Sequence, residues 1–382
     1  MQLTDLTDAL SLTRQMIDIP SVSGQEGPLA DAVEAAARSA GFGTVPALEI
    51  LRDGDAVCAR TRLGLPQRVV LAGHLDTVPI ADNVPGRTEI RDGVDVVWGR
   101  GSVDMLGGCA AALALACEVG PLIAAGAHAA LTADVTWIFY DHEEVASHLN
   151  GLGRIERNHP QWLAGDLALL GEPTAAHVEG GCNGTLRVIA RFPGRAAHSA
   201  RAWMGVNAIH AMAPVIERIA DYGNPVELVD GLEFRESLSV VRVEGGIANN
   251  VIPEAASMTV NYRFAPSKRA DDALAWVRSL FEGAGATIEV DDLCEGARPG
   301  ADSPFAERFL TVARRIAAEQ GTELRLSAKV GWTDVARFTQ VGVPAMNFGP
   351  GDPLLAHTRD EHAPVSDIVR VHDTLRAFVL AH

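Results

Sequence analysis

The stretch WIFYDHEEV at residues 137–145 closes an apolar run with an abrupt acidic step, Glu143 beside Glu144. Adjacent carboxylates repel, and along a strand they face opposite ways, so keeping both at one place calls for a chemical reason. Other polar groups stand in comparable positions. His74 and Asp76 follow RVVLAG, Glu172 follows LALLG, and His357 lies in a loop after AMNFG. Two histidines and several carboxylates make up the nitrogen and oxygen ligand set that zinc accepts, and the mixture of carboxylates suits two ions about 3.5 to 4 Å apart. Each residue alone also has a plainer reading. His74 and Asp76 fit a turn hydrogen bond, Asp104 in GRGSVDMLGG a helix cap, Glu172 in GEP a solvated turn, and DHEE a charged loop. The HExxH zinc pattern is not met, because Ala146 stands where the second histidine belongs.

The segments that must position these groups alternate between two periodicities. Helical spacing near 4–17, 26–41 and 102–119 brackets the buried strands QRVVLAGHL, DVTWIFY and LALLGEP. Continuous apolar strands separated by helices predict an α/β sheet covered on both faces, whose ligand site lies beyond the carboxyl ends of the strands. From about 185 the pattern changes to TLRVIARFPG, a helix over 206–222, LSVVRVEGG, ASMTVNYRFA, a helix over 269–283 and ATIEVDDL. That βαββαβ order predicts a ferredoxin-like α+β unit. A helix over 304–320, the strand ELRLSAK, a helix over 333–340, the strand VPAMNFG and a last helix then restore the α/β rhythm. The expectation is an α/β catalytic domain built from 1–184 and 297–382, with a second domain inserted at 185–296.

A chain of 382 residues has the length for two cores. The formal net charge of -17 argues against nucleic acid as a partner. Cys58, Cys109, Cys117, Cys182 and Cys294 are scattered and form no CxxC pair, which fits a reducing cytoplasm rather than a disulfide framework. MQLTDLTDALSLTRQMIDIP has neither a basic start nor a continuous apolar core, so no signal peptide is expected. The apolar stretch CAAALALACEVGPLIAAGAHAAL is broken by Gly and Pro and reads as a core helix with its loop, so no membrane partner is expected.

Taken in order, GHLDTVP (73–79), GRGSVDMLGG (99–108), DHEE (141–144), GEP (171–173), GRAAHSA (194–200), GGIANNVIPEAASMTVNYRF (245–264) and LLAHTRDE (354–361) resemble the motifs of the dinuclear-zinc amidohydrolases, a family of deacylases and carboxypeptidases. The resemblance covers essentially the whole chain. It implies a zinc-peptidase-like catalytic domain with a ferredoxin-like lid and dimerisation domain, two Zn2+ per subunit with Co2+ able to substitute, and a cytoplasmic homodimer. Asp104 would bridge the ions, His74 and Glu172 would complete one site, and Glu144 and His357 the other. Asp76 would fix the His74 tautomer, and Glu143 would be the general base. His198 would donate to the oxyanion across the dimer. Arg263, Asn249, Asn250 and Thr333 would contact substrate. The chain departs from the family at GGCNGTLRV, where relatives carry a pair of arginines, which leaves Arg187, Arg195 and Arg201 as candidates for the acyl carboxylate. The substrate implied is an N-acyl amino acid, with N-succinyl-LL-2,6-diaminopimelate foremost and N-acetylornithine or a peptide as alternatives.

Overall fold

The computed structural model describes residues 2–381. Its chain forms two compact units, one comprising Met1–Gly180, Gly300–Ser327 and Arg337–His382, the other Gly181–Pro299 and Ala328–Ala336. The segment Ala328–Ala336 belongs with the second unit for a local reason. The Asn183 amide donates to the Lys329 carbonyl at 3.3 Å, and the Trp332 indole donates to the Glu295 carbonyl at 3.0 Å.

The first unit is built on an eight-stranded sheet in the order Leu48–Asp53, Ala56–Thr61, Asp134–Tyr140, Arg68–His74, Leu167–Leu170, Ala345–Asn347, Val178–Gly180, Leu326–Ala328. Its centre is parallel. Arg68–His74 runs beside both Asp134–Tyr140 and Leu167–Leu170, and Ala345–Asn347 runs parallel to Leu167–Leu170. Register sets the ends level, with His74 opposite Tyr140, and Ala72 and Asn347 both opposite Leu170. Residues that follow these strands therefore emerge on one edge of the sheet.

Helix Leu106–Ala124 has the length and hydropathy of a membrane span, yet 83% of its apolar window is buried inside the fold. It is a core helix. Its start lies four residues later than the spacing predicts, because 101–105 form a turn. Three glycines let it close on the strand ends. A Cβ on Gly108 would stand 2.2 Å from the Gly171 carbonyl oxygen, and one on Gly349 would stand 2.1 Å from the same atom. A three-stranded sheet, Arg87–Arg91, Val94–Trp98 and His362–Pro364, was not anticipated.

The second unit has a four-stranded antiparallel sheet in the order Ser237–Gly245, Ala255–Phe264, Gly184–Pro193, Thr287–Cys294, with helices Ala213–Ala220 and Ala270–Ser279. This is the expected βαββαβ topology. The helix predicted over 206–222 is α-helical only from Ala213, just before Pro214, and a 3-10 turn, His210–Met212, precedes it. The hairpin Val226–Val229 and Leu232–Arg235 is an addition. Glu236, fully buried, ties this unit together by accepting from the Tyr262 hydroxyl, the Ala265 amide and the Lys268 ammonium.

Because the atom that crowds Gly108 is backbone, Gly108→Ala should lower stability by about 1–3 kcal/mol despite the better helix propensity of alanine. The urea midpoint of the metal-free chain measures this, and a wild-type midpoint would contradict it.

Candidate metal centre

His74 is the last residue of its strand and is 1% exposed. Its Nδ1 lies 2.9 Å from the Asp76 carbonyl oxygen, and its Nε2 lies 3.2 Å from Asp104. The Asp76 carboxylate stands 3.6 Å from Nδ1, so it is the main-chain oxygen that meets the ring at hydrogen-bond distance. The carboxylate itself accepts from the amides of Glu143 at 2.9 Å and Glu144 at 3.0 Å, and from the Ser23 hydroxyl at 2.7 Å. Asp76 thus links the His74 strand to the acidic turn.

Asp104 lies in the turn at 101–105, and its peptide to Met105 is cis. It does not cap the following helix, whose N-cap is Met105. One of its carboxylate oxygens faces His74, and the other lies 3.1 Å from His357 Nε2. Its position is fixed by Glu361, which spacing alone did not single out. Buried to 1% exposure, Glu361 accepts from the amides of Gly101, Val103 and Asp104 at 3.0, 3.1 and 3.1 Å and pairs with Arg100 at 2.6 Å. A buried carboxylate with several donors and one guanidinium is a stable arrangement; without them its charge would be prohibitive.

Glu144 reaches His357 Nε2 at 2.8 Å. Glu172 stands two residues beyond the end of the Leu167–Leu170 strand and is buried. Three ligand groups have their donor atoms within 4.8 Å of one another: His74 with Asp104 and Glu172, His74 with Glu143 and Glu144, and Asp104 with Glu144 and His357. His74, Asp104 and Glu144 each belong to two of these. Shared members are what a two-ion centre requires, and the nitrogen and carboxylate donors are those of zinc.

Electrostatics point the same way. Burial alone would depress the His74 ring, yet the Asp104 hydrogen bond and the charges of Asp76 and Glu143 hold it well above its ordinary value. Hydrogen bonds to Asp104 and Glu144 lift His357 to about 10 against the opposing effect of burial. Burial would raise Asp104, and the two imidazolium partners instead hold it well below the usual carboxylate range. The acidic cluster thus favours the cationic form of both imidazoles where metal cations would sit.

Seven of the expected residues, His74, Asp76, Asp104, Glu143, Glu144, Glu172 and His357, come together in the first unit. His198, Arg263, Asn249, Asn250 and Thr333 all belong to the second. There, His198 pairs with Val251 in a β-bridge, and the Ser199 amide donates to the Asn250 carbonyl at 2.9 Å, so these loops run side by side. Thr333 is buried, and its carbonyl accepts from Cys182 Sγ at 3.6 Å. Burial depresses the half-buried Arg263 guanidinium, with Asp292 opposing. Arg187 is paired with Asp291 on the adjacent strand, while Arg195 donates to the Met204 carbonyl at 3.0 Å. All five cysteines are free thiols.

Residues 70–381 match the model of peptidase family M20/M25/M40. A Mycobacterium tuberculosis protein, provisionally named a succinyl-diaminopimelate desuccinylase, is 48% identical over 97% of this chain and 98% of its own. The succinyl-diaminopimelate desuccinylase of Corynebacterium glutamicum is 44% identical over 98% of this chain and 96% of its own. A tripeptidase structure from Staphylococcus aureus aligns with a TM-score of 0.78 at 17% identity, covering 99% of this chain and 98% of the tripeptidase, and so shares the fold. With its ligand groups gathered at the sheet edge and its length matched almost throughout, the chain belongs to peptidase family M20/M25/M40.

Proposed function

We propose that the protein hydrolyses N-succinyl-LL-2,6-diaminopimelate to succinate and LL-2,6-diaminopimelate, using two zinc ions per subunit, with cobalt able to replace them. The observation that carries the reading is the identity of 44–48% over nearly the whole chain to relatives named for that reaction, joined to a ligand cluster with three shared members. His74, Asp104 and Glu172 would hold one cation, and Asp104, Glu144 and His357 the other. When bound, such cations polarise an amide carbonyl and bring the pKa of water from about 15.7 to about 7.

The chain's own residues do the rest. Glu143, its backbone held by Asp76, takes a proton from the attacking water and returns it to the departing amine. His198 donates to the oxyanion, and Arg263, Asn249, Asn250 and Thr333 orient the substrate. A homodimer is supported by the open edge of the four-stranded sheet. Ser237–Gly245 is its outer strand, Val241 and Val243 on it are about half exposed, and Ile247 just beyond is 85% exposed. An apolar edge of this kind is usually covered in solution. A biosynthetic amidohydrolase with free cysteines fits the cytoplasm.

Incubating the zinc-loaded protein with N-succinyl-LL-2,6-diaminopimelate should release succinate, with a kcat/KM well above that on N-acetylornithine; the reverse preference would overturn the substrate and keep the chemistry. Glu143→Gln should cut kcat by about 10²–10⁴-fold while zinc content stays at the wild-type level.

Zinc needs neutral imidazoles. At pH 7.5 His357, lifted to about 10, carries a proton in the metal-free protein, and His74 is shifted in the same direction, so zinc uptake should release at least one proton per chain. Calorimetry in buffers of different ionisation enthalpy reads that number, and affinity should rise with pH. The His357 contribution to the stability of the metal-free fold has the opposite sense. It is full below the ordinary value of 6.5 and is lost as pH rises through about 10.

Mixing His198→Ala chains with Glu143→Gln chains, each inactive alone, should recover about a quarter of wild-type activity if His198 acts across the dimer. No recovery would mean that His198 serves its own subunit.

A further inference from the structure

The turn that carries Glu143 begins with an unusual backbone. His142 has φ +59, a left-handed conformation that a non-glycine residue keeps only where its surroundings impose it. What imposes it here are carboxylates. Glu26 accepts from the His142 amide at 3.2 Å, and Asp76 accepts from the next two, those of Glu143 and Glu144. Three consecutive N–H groups thus converge on two buried carboxylates, which makes the turn a small anion nest filled from within the chain.

The Glu26 carboxylate also takes backbone hydrogen bonds from Gly24 and from its own amide, which tie it to the loop that carries it. It immediately precedes helix Gly27–Ser39 but makes no side-chain cap bond to it. It is fully buried, a costly place for a carboxylate unless it is fully engaged. The same loop supplies Ser23, whose hydroxyl donates to Asp76. On the far side of the turn, Asp141 lies 2.8 Å from His142 Nδ1 and is itself gripped by both terminal nitrogens of Arg154, at 2.6 and 3.1 Å. His142 Nδ1 is also 3.3 Å from Glu26.

We infer that Glu26 is a positioning residue for the reaction: by accepting from the His142 amide it holds the left-handed turn that aims Glu143. The inference rests on the reading of Glu143 as the general base. Glu26 belongs to none of the three ligand groups, and its effect passes through one peptide unit. Without that acceptor, His142 relaxes toward the right-handed region and the Glu143 side chain swings from its place. A displacement of about 1 Å at a reacting group costs about 100-fold in rate.

The test uses the full zinc-loaded chain and two substitutions. Glu26→Ala removes the acceptor, whereas Glu26→Gln keeps an oxygen for the His142 amide and the shape of the side chain. Glu26→Ala should lower kcat by about 100-fold, with KM and zinc content within about threefold of wild type, and Glu26→Gln should keep at least about a fifth of wild-type kcat. The second measurement is independent of activity: hydrogen exchange of the segment 139–146 in the metal-free protein should quicken by about tenfold or more in Glu26→Ala and stay near wild type in Glu26→Gln. Three results would overturn the inference: wild-type kcat in Glu26→Ala, losses that follow zinc loss or a rise in KM, or Glu26→Gln as impaired as Glu26→Ala. Wild-type chain inactive on every N-acyl amino acid would instead remove the reading of Glu143, and the exchange measurement alone would then decide whether Glu26 holds the turn.

Discussion

The structure depends on containing negative charge. Asp76, Asp104, Glu143, Glu144 and Glu172 gather around two histidines at the ends of neighbouring strands, where Asp76 is fully buried and Glu172 nearly so. In water such carboxylates would separate. Inside the fold three of them have a partner of opposite polarity: two successive backbone amides for Asp76, two imidazoles for Asp104, and one imidazole for Glu144. The elevated His74 and His357 are the counterpart of that excess. A dication answers the same electrostatic demand more fully than a proton, which is why a cluster of this type gains by binding metal.

Holding the charges where they are requires supports that carry no chemistry. Glu361 gathers the amides of Gly101, Val103 and Asp104, and Arg100 balances its charge. Parallel register sets His74 and Tyr140 level, so Asp76 on one connection meets the turn after the next strand. Gly108 and Gly349 admit helix and loop backbone against Gly171, the residue before Glu172. The strand-end polar groups are thus pinned from below by register, from the sides by amides, and from behind by close backbone contact.

What could be read from the sequence was periodicity and residue type. Alternation in TLRVIARFPG and ASMTVNYRFA marked strands now seen at Gly184–Pro193 and Ala255–Phe264, and the apolar DVTWIFY marked the buried strand Asp134–Tyr140. Histidines and carboxylates after apolar runs marked six of the seven residues that converge, because side chains of that kind seldom follow a buried strand without a partner; Asp104, which follows no apolar run, was marked only by the family resemblance. The supporting residues were not legible. Glu361 and Arg100 are 261 positions apart, and Glu26 lies 116 residues from the amide it holds, so no local pattern betrays either pairing. The hairpin Arg87–Arg91 and Val94–Trp98 was missed because its first strand is polar and half exposed. The helix expected over 206–222 was overdrawn because apolar spacing continues through 3-10 turns that Pro214 follows.

The adjacent glutamates show where pattern and geometry part. Strand alternation offers a simple reason for two neighbouring side chains to diverge, but the strand ends at Tyr140, and neither glutamate is on it. Their divergence comes from a turn in which His142 is left-handed and the next two amides are fastened to one carboxylate. That origin matters for chemistry. A strand would fix the two side chains rigidly but along the sheet normal, with no freedom to choose their aim, whereas a turn held by buried acceptors can set each direction separately. Glu144 is thereby brought to His357, while Glu143 remains within reach of His74 without sharing the Asp104 and His357 group. Two residues with the same functional group and the same local charge acquire different surroundings through one step of irregular backbone.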